Sequence, residues 1–238
     1  MFRYALITLL VFAMSVPETH AQPQETVVLL HGLIRSSRSM NKMERALRDA
    51  GYRTCNIDYP SRTATIEELS RDYVLPEINA CAGDGPLHVV THSMGGIVLR
   101  YLATSGQVEH LERVVMLGPP NQGSEVVDRV GGLWLFQKIN GPAGRQLGTD
   151  DQSLPLQLGP ATFHLGVIAG TRSINWLNSR MIDGEDDGKV SVDRARLEGM
   201  ADFLEVPSTH TFMMRSNSVI RQTLLFLETG AFEHRPDA

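Results

Sequence analysis

A serine, an acidic residue and a histidine, in that order along the chain, carry the chemistry open to this sequence. The serine is Ser93, within HVVTHSMGG (88–96). The stretch reads as a buried strand running straight into a helix, with the serine at the junction. A hydroxyl on such a turn stands proud of a sheet, beside a helix N-terminus that favours negative charge. The N–H of the next residue, Met94, is then placed to face an oxyanion. Positions flanking the serine must be small, because strand and helix backbones cross closely there. Gly95 and Gly96 meet that need; Thr91 departs from the G-x-S-x-G pattern. A plain helix N-cap is the other use of a serine in this place.

A second oxyanion donor should come from the loop after an earlier strand. VVLLHGL (27–33) has the right form: a buried run ending in His31-Gly32-Leu33, with the Leu33 amide turned toward the site. A serine hydroxyl also needs a base. Among the eight histidines, His88 and His164 sit at the wrong edge of a sheet. His31 and His92 adjoin the two turns and shape them. His20, His110 and His234 fall in a leader, a polar stretch and the tail. His210 follows the last strand, in PSTHTFMM, late enough for the order serine, acid, histidine. The acid belongs in MIDGEDDGKVSV (181–192), where Asp183, Glu185, Asp186 and Asp187 compete. Asp187 leads, because Asp-Gly makes a tight turn that presents its carboxylate; Asp186 is the runner-up. A calcium loop read from Asp183 fails, since Arg194 stands where its closing glutamate is required.

These residues need a frame that brings distant segments to one edge. Strand-like runs at 26–32, 52–60, 87–92, 113–118, 164–170 and 201–208 alternate with helical patterns at 39–51, after Thr65, at 94–103 and at 216–230. Met40, Met43, Leu47 and Ala50 predict one apolar face on the first helix, with Gly51 as its stop. Thr65 and Glu68 form a capping box, and Pro76 is expected to kink or end the helix they open. Met94, Ile97, Val98, Tyr101 and Leu102 predict a one-sided apolar helix after the serine. Alternating strands and helices imply parallel β-α-β units, whose ligands bind at the carboxyl ends of the strands. The long stretch 119–163 is either a helix packed on the sheet or a cap over the site. Its apolar LWLFQKI (133–139) would then face an acyl chain rather than a charged substrate.

The chain has 238 residues, 42% hydrophobic and 21% charged, which suits a single globular domain. The net charge of −5 and the lack of a basic stripe argue against nucleic-acid binding. One arginine, an apolar run at 4–16 and Thr19-His20-Ala21 read as a signal peptide over 1–21, cleaved after Ala21. An uncleaved anchor is the alternative. Export to the periplasm or medium follows, with the domain at 22–238. Cys55 and Cys81 would then be either a disulfide or two buried thiols.

The pieces VVLLHGLIRSSRSM, CNIDYPSR, VVTHSMGGIVLRYL, VVMLGPPNQGSEVVD, EDDGKVSV and PSTHTFMM cover nearly the whole mature chain. Together they resemble an α/β-hydrolase of the lipase/esterase group, in particular compact bacterial lipase-like proteins related to the GPI inositol-deacylase type. The resemblance implies a mostly parallel sheet with helices on both faces and a small cap. It implies a Ser93–Asp187–His210 triad with the Leu33 and Met94 amides as oxyanion donors. The implied substrate is a small-molecule ester or lipid, met in transient contact with a membrane surface, with no cofactor and no metal.

Overall fold

A computed structural model describes residues 24–83, 85–108, 111–132, 134–173, 182, 184 to 234. The proposed leader, His110 and Asp183 lie outside the described residues. Six strands form one sheet in the order β2-β1-β3-β4-β5-β6. They are β1 (Thr26–Leu30), β2 (Arg53–Ile57), β3 (Leu87–His92), β4 (Leu111–Leu117), β5 (His164–Gly170) and β6 (Asp202–Val206). Every pairing is parallel. Parallel pairing with one hand of crossover sends all six carboxyl ends to the same edge. The register keeps those ends level: Leu30 pairs with Ile57 and Thr91, His92 with Leu117, Leu117 with Ile168, and Gly170 with Val206.

The two-residue period of the strands divides the core into two layers. Val28, Leu30, Val89, Val114, Met116 and Val167 face one layer. Val27, Leu29, Val90, Val115, Leu117 and Ile168 face the other. Helix α1 (Asn41–Asp49) covers the second layer through Met43 and Leu47, after a 3-10 turn that buries Met40. Ala50 does not join that face: it is exposed at the helix end, and Ala46 packs there instead. Pro76 does not end the next helix. The capped first turn α2 (Ile66–Glu68) runs into a π-helical stretch (Leu69–Val74) and then α3 (Leu75–Cys81), with Pro76 in its first turn. Proline lacks the N–H that the preceding turn requires, and the wider π register absorbs the mismatch. Cys55 on β2 and Cys81 at the end of α3 are joined by a disulfide, their Cα atoms 6.3 Å apart.

The first two turns of helix α4 (Met94–Thr104) are enclosed on all sides rather than one-sided, and Tyr101 is half-buried. Met94, Ile97, Val98 and Leu102 are buried as expected, but so are Leu99 and Arg100. The reason lies in 119–163, which folds over the outer side of α4. Arg100 donates to the carbonyls of Asn121 (2.9 Å), Pro155 (2.9 Å) and Gly159 (2.7 Å), pinning that segment. Burial without a carboxylate pulls its guanidinium down to about 10. The segment contains α5 (Glu125–Val130), α6 (Trp134–Arg145) and α7 (Leu154–Gln157), with α6 broken at Gly141-Pro142. Ala143, Leu147 and Leu154 enter the core, whereas Trp134 and Ile139 stay exposed. Helices α8 (Val192–Ala195) and α9 (Asn217–Thr229) follow, and Gly230 ends α9 in a left-handed conformation.

Candidate active site

Ser93 sits one residue beyond β3 and immediately before α4. Its backbone has φ 53° and ψ −126°, a region that L-residues rarely occupy. The turn is held by the Ser93 N–H, which donates to Leu117 O at 2.9 Å. Although Ser93 occupies the cap position, its side chain makes no cap hydrogen bond. The hydroxyl instead lies 2.9 Å from His210 Nε2.

The crossing of β3 and α4 shows why the small residues are needed. A Cβ on Gly95 would meet the carbonyl oxygens of Leu30 and His31 at 2.7 and 2.8 Å. Gly96 faces the other way, and a Cβ there would lie 3.3 Å from Thr91 Oγ1. Thr91 is thus tolerated because the second glycine leaves room opposite it. The tolerance has a cost, since Thr91 Oγ1 is buried with no hydrogen-bond partner among the described residues.

His210 lies four residues beyond β6 and is held at both ends. Its Nδ1–H donates to Asp187 Oδ2 at 2.7 Å, and its backbone N–H donates to Asp187 O at 2.9 Å. The His92 Nε2–H donates to His210 O at 2.9 Å. His92 is fully enclosed, and burial, then the neighbouring His210, holds its imidazole well below the ordinary range. It is therefore a neutral strut beneath His210. Asp187 Oδ1 accepts from the N–H groups of Lys189 (3.0 Å) and Val190 (2.9 Å), closing the Asp-Gly turn. Asp186 turns the other way, its Oδ1 accepting from the Gly188 N–H at 2.6 Å. Glu185 is exposed and meets the histidine nowhere.

Leu33 stands in the loop after β1. Neither its N–H nor that of Met94 has a protein acceptor among the described residues. Gly32 brings the loop against the serine: a Cβ there would lie 2.9 Å from Ser93 Cβ. The loop is fixed from beneath by Tyr59, whose hydroxyl donates to His31 O and whose ring stacks on His31 at 4.1 Å. His31 Nδ1–H donates to Gly32 O at 2.9 Å, and its Nε2 accepts from the Tyr59 N–H at 3.3 Å. Burial lowers its pKa. Ile34 next to Leu33 is left-handed, φ 59°, an uncommon state for a β-branched residue.

The structure thus brings together Ser93, His210 and Asp187 and sets Leu33 and Met94 beside them. The other described histidines lie elsewhere: His88 against Glu25, His164 against Gly230 O, and His234 against Asp202. Three contributors carry little sequence signal. Tyr59 lies in CNIDYPSR, a quoted piece with no assigned role. Arg100 reads as a surface cation. Gly118, in MLGPP, follows β4 with φ 53° and faces Asp187 and His210 directly: a Cβ would fall 2.8 Å from Asp187 Oδ2. No group of three His, Cys, Asp or Glu side chains is placed to hold a metal among the described residues.

Comparisons with known proteins agree with this frame. A mature lipase, BlEst2 from Bacillus licheniformis, superposes with a TM-score of 0.69 at 23% identity, over 90% of this chain and 96% of that one. The Listeria innocua lin2722 product gives 0.60 at 19% identity, over 89% and 96%. Phospholipase PlaB from Legionella pneumophila gives 0.63 at 16% identity, over 87% of this chain and 57% of its own. No curated protein sequence matches. A family model described as the alpha/beta hydrolase family matches residues 27–229. The chain belongs to the alpha/beta hydrolase family.

Proposed function

We propose that the protein is a serine hydrolase that cleaves carboxylic esters through an acyl-enzyme. The observation that carries this reading is the hydrogen-bonded line Ser93–His210–Asp187, with its two bonds of 2.9 and 2.7 Å. It lies beside two N–H groups without protein acceptors. His210 takes the hydroxyl proton as Ser93 Oγ attacks the ester carbonyl. The tetrahedral oxyanion rests on the Leu33 and Met94 amides, each worth about 3–4 kcal/mol of barrier in comparable sites. The alcohol leaves with the proton from His210. Water then attacks the acyl-enzyme by the same route. Asp187 keeps the imidazole in the tautomer that accepts from serine and stabilises it when charged.

The lipase and phospholipase among the structural neighbours support an acyl ester as substrate. Exposed Trp134 and Ile139 support a cap, at 119–163, that meets acyl chains or a membrane surface. The Cys55–Cys81 disulfide supports export to an oxidising compartment. A fluorophosphonate probe tests the core of the reading. Wild-type protein should be labelled and Ser93→Ala should not; an unlabelled, folded wild type refutes it. A matched panel of esters, thioesters and amides then separates ester hydrolysis from the other acyl transfers open to the same triad.

A further inference from the structure

A cleft of about 710 Å³ opens between the loops that follow β1, β2 and β6, the first and last of which also carry Leu33 and His210. Four arginines line it: Arg35, Arg38, Arg62 and Arg215. Ile34 and Phe212 supply exposed apolar surface in the same cleft, 42% and 50% exposed. Its walls come from two of the loops that carry the site residues. Ile34 and Arg35 directly follow Leu33, and Phe212 comes two residues after His210. Arg35 also adds to the burial that lowers His92 and Lys189, so its field reaches the groups around the base.

Four arginines elsewhere find carboxylates: Arg48 with Glu44, Arg194 with Glu125, Arg196 with Glu205, and Arg221 with Glu233; others, Arg100 and Arg113 among them, do not. None of the four cleft arginines has a carboxylate within 4.0 Å among the described residues. Asp58, the nearby acid, accepts from the Ser37 N–H at 2.7 Å and faces His31 at 3.6 Å. Among the described residues the Arg62 guanidinium reaches only Ile139 O, at 3.5 Å. In a chain of net charge −5, this grouping is a local choice and not a by-product of a basic surface. Four like charges around one cleft repel one another until an anion enters. Guanidinium forks match oxyanions, and four of them offer more donors than one carboxylate can accept. A phosphate has the oxygens to use them.

Resting on the esterase reading above, we infer that this cleft is a subsite for a phosphate group carried by the ester substrate. The acyl ester lies at Ser93, the phosphate against the arginines, and the apolar part of the same molecule along Ile34 and Phe212. The substrate is then an amphiphilic acyl ester of a phosphorylated alcohol. An apolar cap alone selects for uncharged acyl chains; the cleft adds selection for the charged end.

A matched pair of substrates tests this: a monoacylglycerol and the same monoacylglycerol bearing a phosphate. Wild-type protein should show kcat/KM at least about tenfold higher for the phosphorylated ester at low salt, the equivalent of one charge-assisted hydrogen bond. The preference should shrink on raising salt from about 0.05 to 0.5 M, because the arginines are exposed. Arg35→Gln and Arg215→Gln should each cut the ratio about fivefold, whereas Arg221→Gln, remote and paired with Glu233, should leave it unchanged. A wild-type ratio near one, or a ratio unmoved by the cleft substitutions, overturns the inference while the hydrolase reading stands. Binding of inorganic phosphate that the Arg35→Gln change abolishes, without any preference for the phosphorylated ester, assigns a free-anion site and overturns it too. Loss of both activities together with no fluorophosphonate labelling overturns the hydrolase reading, and this inference with it.

Discussion

Gly118→Ala places a methyl group against the Asp187–His210 hydrogen bond, and its effect on the proposed hydrolysis can be worked out from the geometry. The new Cβ would lie 2.8 Å from Asp187 Oδ2 and 3.2 Å from His210 Nδ1, the two atoms whose hydrogen bond is 2.7 Å long. Restoring ordinary van der Waals contact requires the carboxylate to retreat by about 0.6 Å. Gly118 cannot yield easily, because its N–H is tied to Ile168 O at 2.8 Å. A hydrogen bond to a charged group is worth about 1.5–3 kcal/mol, so its loss should lower kcat by roughly 10- to 100-fold. Alanine at φ 53° adds a backbone cost of about 1–2 kcal/mol, or roughly 2–8 °C in Tm. Gly106→Ala is the control, since Gly106 has φ 66° and a Cβ there meets nothing within 4 Å. It should lose a similar amount of Tm and keep its kcat. The assay is hydrolysis of a short neutral nitrophenyl ester, with thermal unfolding measured on the same samples. A Gly118→Ala protein with kcat within about twofold of wild type and the Tm of the control would show that Asp187 and His210 do not depend on this clearance.

Other outcomes follow from the same geometry. Asp187→Asn should lower kcat by about 10⁴, while Asp186→Asn, whose Oδ1 can still accept from Gly188, should change it less than about fivefold. The reverse order would move the acid to Asp186. Thr91→Val removes a buried unpaired hydroxyl at little change in shape, and chemical denaturation should show a gain of about 1 kcal/mol. A loss of that size would mean that the hydroxyl has a partner in solution. Stability should also fall on acidification below pH 6.5. Unfolded, His92 takes a proton near pH 6.5; folded, it stays neutral to much lower pH because it is buried and faces His210. Acid therefore favours the unfolded chain across that window, by up to about 1.4 kcal/mol per pH unit for each such histidine, and His31 and His88 add to the slope. His92→Gln should make the slope shallower in urea titrations between pH 6.5 and 5; an unchanged slope removes His92 from the account.

The strands and the serine junction were readable because they rest on local pattern. An apolar run that stops at His92 and a helix that starts at Met94 leave Ser93 between them whatever else the chain does. His210 was reachable by its place after the last strand. Asp187 over Asp186 needed turn chemistry, and it is Asp187 Oδ2 that meets His210 Nδ1. What stayed illegible depends on what comes near in space. Ala50 matches the helical period but falls where α1 runs out of core. Arg100 has the composition of a surface residue, and only the segment folded over α4 buries it. The four cleft arginines lie far apart in sequence, at 35, 38, 62 and 215, so no window of the chain contains them. Pro76 left a choice between a kink and a stop for a different reason: a proline rule assumes an α register, and the helix continues by shifting to a wider one.

The disulfide between Cys55 and Cys81 has a topological consequence. It closes a ring of chain that contains Tyr59, Arg62 and the π-interrupted helix. One severed peptide bond inside that ring releases no fragment, and both new ends stay tethered to β2 and α3. The wall that fixes the His31 turn can thus survive a protease nick as a single covalent molecule. The loop bearing His210 has no such protection among the described residues, so a cut there leaves His210 on or beside a free end. Limited digestion followed by reduction would release the hidden fragment, and new segments grafted into this enzyme should be better tolerated inside the ring than beyond it.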